Sequence, residues 1–361
     1  MFADVGMPFR LITLSSTFKA LVLVLISVSL ISCETVGYYS QAARGQLAIV
    51  FAREDIRYLL TQQDLEPLLR QNFDTVLSIG EFADQKLGLP TNENYLTYVD
   101  VERDHVVWNV FATPEFSTSP LNWCYPIAGC VAYRGYFSEQ AAKNFADKLR
   151  EQGFDVYTGG VDAYSTLGWF DDSLLSTILN RPPYQLAGLI FHELSHQIVY
   201  LPGDTTFNES FATTIEREGL RRWLLANNEP EILVIAEIDR HRQEDFVELI
   251  TRFKNEFDRL YQEDLDAIMM RYEKQKLQME LSSEYVKLKQ EWGGYAGYDS
   301  WFSRSLNNAQ LSTVSSYNDL VPFFLELLQT NKGDLSKFYE EVKKLVELEK
   351  SELDEITLDY R

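Results

Sequence analysis

Leu189-Ile190-Phe191-His192-Glu193-Leu194-Ser195-His196-Gln197 is the stretch on which the reading of this chain turns. Apolar residues lead into it, and Arg181-Pro182-Pro183 precedes them as a helix start. The spacing predicts a buried helix from Tyr184 to Tyr200, ended by Pro202-Gly203-Asp204. On a helix, side chains four residues apart share a face. The imidazoles of His192 and His196 can therefore address one cation, and Glu193 stands where it can reach a water beside that cation. The bland alternative is two solvated histidines on an ordinary helix. It requires this spacing to be accidental in a chain with only 4 histidines.

A catalytic zinc needs a third protein ligand and an open position. The other histidines are His105 and His241, and no His-x-x-Gly-x-x-His continuation follows His196, which argues against a metzincin. Instead Asn208-Glu209-Ser210-Phe211-Ala212 opens the next helix. A helix, a turn and a second helix can bring Glu209 to the open side of the histidine pair. Glu216, seven residues on and on the same helix face, is the substitute ligand or an outer partner. The expectation is one Zn2+ per chain on His192, His196 and Glu209, with Glu193 as general base and later proton donor.

His192-Glu193-Leu194-Ser195-His196 followed by Asn208-Glu209-Ser210-Phe211-Ala212 resembles the gluzincin peptidases, with 12 residues between His196 and Glu209. The wider chain is similar to a bacterial family called predicted aminopeptidases. The shared stretches are Gly37-Tyr38-Tyr39 through Gly45-Gln46-Leu47, Tyr133-Arg134-Gly135-Tyr136-Phe137, Ala163 to Leu175, the two metal motifs, and Tyr298 to Tyr317 with Asn307-Asn308-Ala309. The resemblance implies zinc-dependent release of N-terminal residues from peptides. It also implies an edge strand beside the substrate, for which Val161 to Phe170 stands in the matching order; Tyr164, Ser165 and Thr166 are the contact candidates. An oxyanion stabiliser is expected from Tyr298 or Tyr317, with Tyr295 as the alternative. An aminopeptidase also needs a carboxylate for the substrate amine, and Asp162, Asp171 and Glu216 are available. Two other readings stay open: a zinc endopeptidase acting on envelope proteins, and a non-catalytic zinc-binding scaffold.

The chain's 361 residues carry 33 basic and 54 acidic side chains, a net charge of −21, which disfavours nucleic acid as a partner. Arg10 and Lys19 precede an apolar run from Ala20 to Ile31, too short for a comfortable span. It ends Leu30-Ile31-Ser32-Cys33, the pattern of a lipoprotein signal peptide over residues 1–32. Lipid on Cys33 would anchor the chain in a bacterial envelope. Glu34, rather than Asp, favours the outer membrane facing the periplasm. In such a compartment Cys124 and Cys130 read as a disulfide.

The expected fold is helix-rich α+β, with the two metal helices packed by a small mixed sheet and a long helical arm. Residues 33–92 form an N-terminal helical segment. Strands at Tyr95–Val99, Val106–Ala112, Cys130–Phe137 and Phe154–Tyr157, with a Ser138-capped helix, place an α/β core at 93–229. Residues 230–292 are a charged helix or helical hairpin, its stripe running from Phe246 through Phe257 and on to Ile268 and Tyr272. Residues 293–361 complete the core with helices.

Overall fold

A computed structural model describes residues 36–125, 129–163, 171–304, 306–314 and 319–360. Cys33 and its leader, the contact candidates Tyr164, Ser165 and Thr166, and Tyr317 lie outside the described residues. Among the described residues no helix is long and apolar enough to cross a membrane. The described residues fall into two compact units that divide between Val50 and Phe51. A helix α1 begins at residue 36 and runs to 51, the first residue of the second unit.

In the second unit, β1 (Glu54–Asp55) leads into the short α2 (Ile56–Leu59) and then α3 (Pro67–Phe82). Pro67 stands where a missing N–H costs the helix nothing. Phe73, Val76 and Ile79, three residues apart, are buried. A π turn, Ala83–Leu87, closes the helix at Gly88, whose φ of 66° suits a residue without a Cβ. Next come β2 (Thr97–Val99), β3 (Val107–Pro114), β4 (Trp123–Tyr125), β5 (Gly129–Val131) and β6 (Arg134–Tyr136). The expected single strand Cys130–Phe137 is thus two strands in two sheets. The helix α4 (Glu139–Glu151) follows, with Ser138 Oγ accepting from Ala141 N–H, and then β7 (Phe154–Val161) and β8 (Leu174–Leu175).

The strands make one three-stranded sheet ordered β1-β2-β8, another ordered β6-β3-β7, and the β4–β5 hairpin. In the first, β2 and β8 run parallel with Tyr98 opposite Leu174, so the sheet is mixed. In the second, β3 pairs antiparallel with β7 from Val107↔Val161 to Pro114↔Phe154. Trp108, Val110 and Ala112 alternate inward along β3. Cys124 and Cys130 face each other across the hairpin and are joined by a disulfide.

The centre of the unit is a helix pair, α5 (Pro183–Ser195) and α6 (Thr205–Ala226). Phe191, Phe207 and Phe211 are fully buried there with Phe324 and Phe338 of the C-terminal helices α11 (Val321–Thr330) and α12 (Leu335–Val346). Each such ring contributes about 1.5–3 kcal/mol of burial. Gly219 of α6 permits close packing: a Cβ there would come within 2.9 Å of Leu87 and of Phe191.

Two long helices, α7 (Pro230–Leu260) and α8 (Ala267–Glu291), form a hairpin with its own core. Phe246, Ile250, Phe253 and Phe257 face Leu281 and Tyr285. The stripe does not continue through Ile268 and Tyr272, which are 80% and 63% exposed. The turn before Asp266, whose carboxylate caps α8 at Ile268 N–H, resets the helical phase. Lys274 Nζ of α8 is buried 2.6 Å from Asp155 and donates to Glu115 O at 2.7 Å. Asn308, on the short α10 (Asn308–Leu311) after α9 (Asp299–Phe302), donates to the same carbonyl and carboxylate. These bonds fasten the hairpin to the β3–β7 sheet. A last helix, α13 (Lys350–Ile356), packs Leu353 into the main core.

Candidate metal centre and active-site cleft

The helix α5 stops at Ser195, earlier than its apolar pattern predicts, with His196 as C-cap. Ser195 Oγ donates to His192 O at 2.6 Å, and Gln197 and Ile198 N–H turn back to Leu194 and Ser195. The chain then reverses over residues 197–204. Asn208 fixes this reversal: Oδ1 accepts from Leu201 N–H at 2.7 Å and Nδ2 donates to Leu201 O at 2.9 Å. Asp204 caps α6 at Phe207 N–H. A short connection therefore brings Glu209 back against α5.

His192 Nε2 lies 3.2 Å from Glu209 Oε2, and His196 Nε2 lies 3.8 Å from Glu209 Oε1. The two imidazoles stand edge to face with centroids 5.1 Å apart. One donor atom from each of His192, His196 and Glu209 lies within 4.8 Å of the others, so the three could hold a metal ion. Two imidazoles and a carboxylate are a donor set that suits zinc. The second ring nitrogen of His192, Nδ1, lies 3.0 Å from Glu216 Oε2. Gly188, one turn before His192, leaves space for that carboxylate: a Cβ there would sit 3.4 Å from Glu216 Cγ.

Burial lowers the basicity of His192, but bonds to Glu209 and Glu216 outweigh it and raise its pKa to about 10. Burial and the charge of His192 lower His196 to about 4. Burial raises the Glu193 carboxyl, and nearby Glu209, Asp172 and Glu216 add to the rise against the opposing His192. A carboxyl shifted upward in a cleft is a better proton acceptor than a solvated one.

His192, Glu193 and Glu209 line a cleft of about 1650 Å³ between α5, α6 and α7. Two bridges carry α7 over it. Tyr184 Oη donates to Asp239 Oδ2 at 2.6 Å, and Arg217 Nη2 to Glu244 Oε1 at 3.1 Å.

A sequence model of the family described as putative aminopeptidase matches residues 37–356. The chain belongs to that family. No curated protein and no solved structure matches the chain.

Several of the residues the family resemblance points to are occupied elsewhere. Tyr298 stacks on Phe246 with ring centroids 4.2 Å apart, inside the hairpin core, and Tyr295 lies under Arg242. Of the carboxylates considered for a substrate amine, Asp162 is held by His105 at 2.6 Å and by Arg181 at 3.4 Å. Glu216 is held by His192, and Asp171 is exposed. The structure instead draws attention to Tyr95. Its φ of 60° is left-handed, and its N–H donates to Asp172 O at 2.7 Å. Asn94 Oδ1 accepts from Asp172 N–H, which clamps the loop. Burial, then the charges of Glu193 and Asp172, hold the Tyr95 phenol well above its ordinary pKa. Nothing periodic marks Tyr95 in the sequence; only its unusual backbone signals it.

Proposed function

We propose that this family member is a zinc-dependent peptidase that releases N-terminal residues from peptides. The observation that carries the reading is the convergence of His192, His196 and Glu209 donor atoms within 4.8 Å, beside the half-buried Glu193 on the cleft wall. Zinc held there supplies a Lewis acid that polarises a carbonyl and acidifies water to a pKa of about 7. Glu193 takes the proton of the attacking water and returns it to the leaving amine. Glu216 holds His192 by Nδ1, leaving Nε2 for the metal. The Tyr95 phenol, which packs against the core within the influence of the Glu193 charge, is our candidate donor to the developing oxyanion. Lipid on Cys33 anchors the enzyme in the envelope, a part of the proposal that rests on the sequence alone.

The experiment is elemental analysis of residues 34–361 beside the His192→Ala variant, followed by a peptide screen. One zinc per chain, lost in the variant, supports the reading; no zinc after reconstitution overturns it. One observation favours a second reading, an endopeptidase: the cleft extends along α7 well past the metal residues. Cleavage of N-acetylated peptides would select it.

A further inference from the structure

The charged helix α7 reads from sequence as a long structural arm, yet one whole face of it forms a wall of the cleft. Arg240, Gln243, Val247, Thr251, Asn255 and Arg259 follow one another at steps of three or four and all line it. The opposite face, Phe246, Ile250, Phe253 and Phe257, is buried in the hairpin core. The wall is therefore rigidly backed.

The metal residues lie part-way along this wall. Arg217, which reaches Glu244, adjoins Glu216, which holds His192. In one direction the cleft returns to Leu233 and Val234; in the other it continues to Arg259. At 1.5 Å per residue, Leu233 to Arg259 spans roughly 40 Å. An extended peptide rises about 3.3 Å per residue, so that length takes roughly 12 residues. The cleft's volume of about 1650 Å³ also exceeds the 300–1,000 Å³ or so usual for small-molecule sites.

We propose that the face of α7 from Leu233 to Arg259 is a binding site for an extended, unfolded polypeptide, and that the substrates are long chains rather than di- or tripeptides. The occupant follows from continuity with the reacting position and from the chemistry of the wall. Gln243, Thr251 and Asn255 each offer both donors and acceptors, which match a peptide backbone without reading its side chains. Arg259 at the far end favours acidic residues or a terminal carboxylate, whereas Arg252 is already paired with Glu284 at 3.6 Å. The proposal deepens the peptidase reading and rests on it for the nature of the ligand.

The test uses the zinc-loaded Glu193→Gln variant, which would bind without turnover. Fluorescent peptides of 3, 6, 9 and 12 residues, sharing one free N-terminal tripeptide, are titrated by anisotropy. The dissociation constant is expected to fall tenfold or more between three and nine residues. Adding Asn255→Trp and Arg259→Glu, both on exposed positions, is expected to remove that gain with the melting temperature unchanged. A smaller gain, a gain that survives those substitutions, or no binding at any length overturns the proposal. Wild-type turnover of the same peptides is read separately. Hydrolysis without length dependence sinks the α7 site and spares the peptidase, whereas length-dependent binding without hydrolysis does the reverse.

Discussion

Glu216 and His192 are joined across α5 and α6 by a 3.0 Å contact to Nδ1, while Glu209, seven residues earlier on α6, meets the same ring at Nε2. One imidazole is thus gripped at both nitrogens by carboxylates on one helix face. The outer grip orients the ring and raises its basicity. Loss of such a partner typically weakens a metal site by about 10–100-fold. Glu216→Gln is expected to lower zinc affinity by about that factor in a chelator competition, with the stoichiometry still one. Glu209→Gln is expected to abolish stoichiometric zinc. Equal effects of the two substitutions would contradict this division of labour.

Tyr95 is held in a left-handed backbone conformation, which costs a residue with a Cβ about 1–3 kcal/mol and persists only where neighbours enforce it. Phenylalanine would keep the ring and the clamp to Asp172 and lose only the hydroxyl. Tyr95→Phe is expected to lower kcat by about 10²–10³-fold with KM and zinc content little changed. If kcat stays at the wild-type value, Tyr95 is a packing residue.

Gly219 of α6 packs against Phe191, the residue before the first histidine, with no room for a Cβ. Alanine there would gain about 1 kcal/mol of helix propensity. It would also push into the Phe191 ring and Leu87 at 2.9 Å, and overpacking typically costs about 1–3 kcal/mol. Gly219→Ala is expected to be destabilised by about 1 kcal/mol in urea unfolding, despite the better helix former. A stabilised variant would mean that the Phe191 ring yields freely.

The helix-rich α+β class was legible because α5 to α8 carry apolar residues at helical spacing and the strands carry β-branched and aromatic runs. Helix ends were less legible. The apolar run of α5 continues to Tyr200, yet the helix stops at Ser195, where its hydroxyl caps His192 O and Asn208 grips Leu201. The phase change before Asp266 is likewise a turn effect that periodicity cannot register. At the site, the spacing of His192 and His196 puts both on one helical face, and Asn208-Glu209 lies in the opening turns of the next helix, which starts three residues earlier than expected, at Thr205, because Asp204 caps it. Tyr95, about a hundred residues upstream on a loop, comes under the charge of Glu193 only through the fold. So does the cleft-facing role of α7: its polar face looks solvated until α5 and α6 are placed opposite it.

Glu218 shows how the same helix α6 couples to acid. It accepts from Arg221 Nε at 2.7 Å and Arg222 Nε at 2.7 Å. Burial raises its carboxyl, but the two guanidiniums outweigh that and hold its pKa below the ordinary 4.5. Because the folded pKa lies below the unfolded one, the carboxylate stabilises the fold above pH 4.5 and loses that contribution as pH falls through the depressed value. Arg221 is half exposed, so screening trims the effect to about 1 kcal/mol. Glu218→Gln is therefore expected to melt about 1–2 °C below wild type at pH 7. The gap should close as the pH drops below 4.5 toward the folded pKa, because wild type then carries a neutral side chain too. A gap of constant size from pH 7 to pH 3 would assign the loss to packing instead of charge.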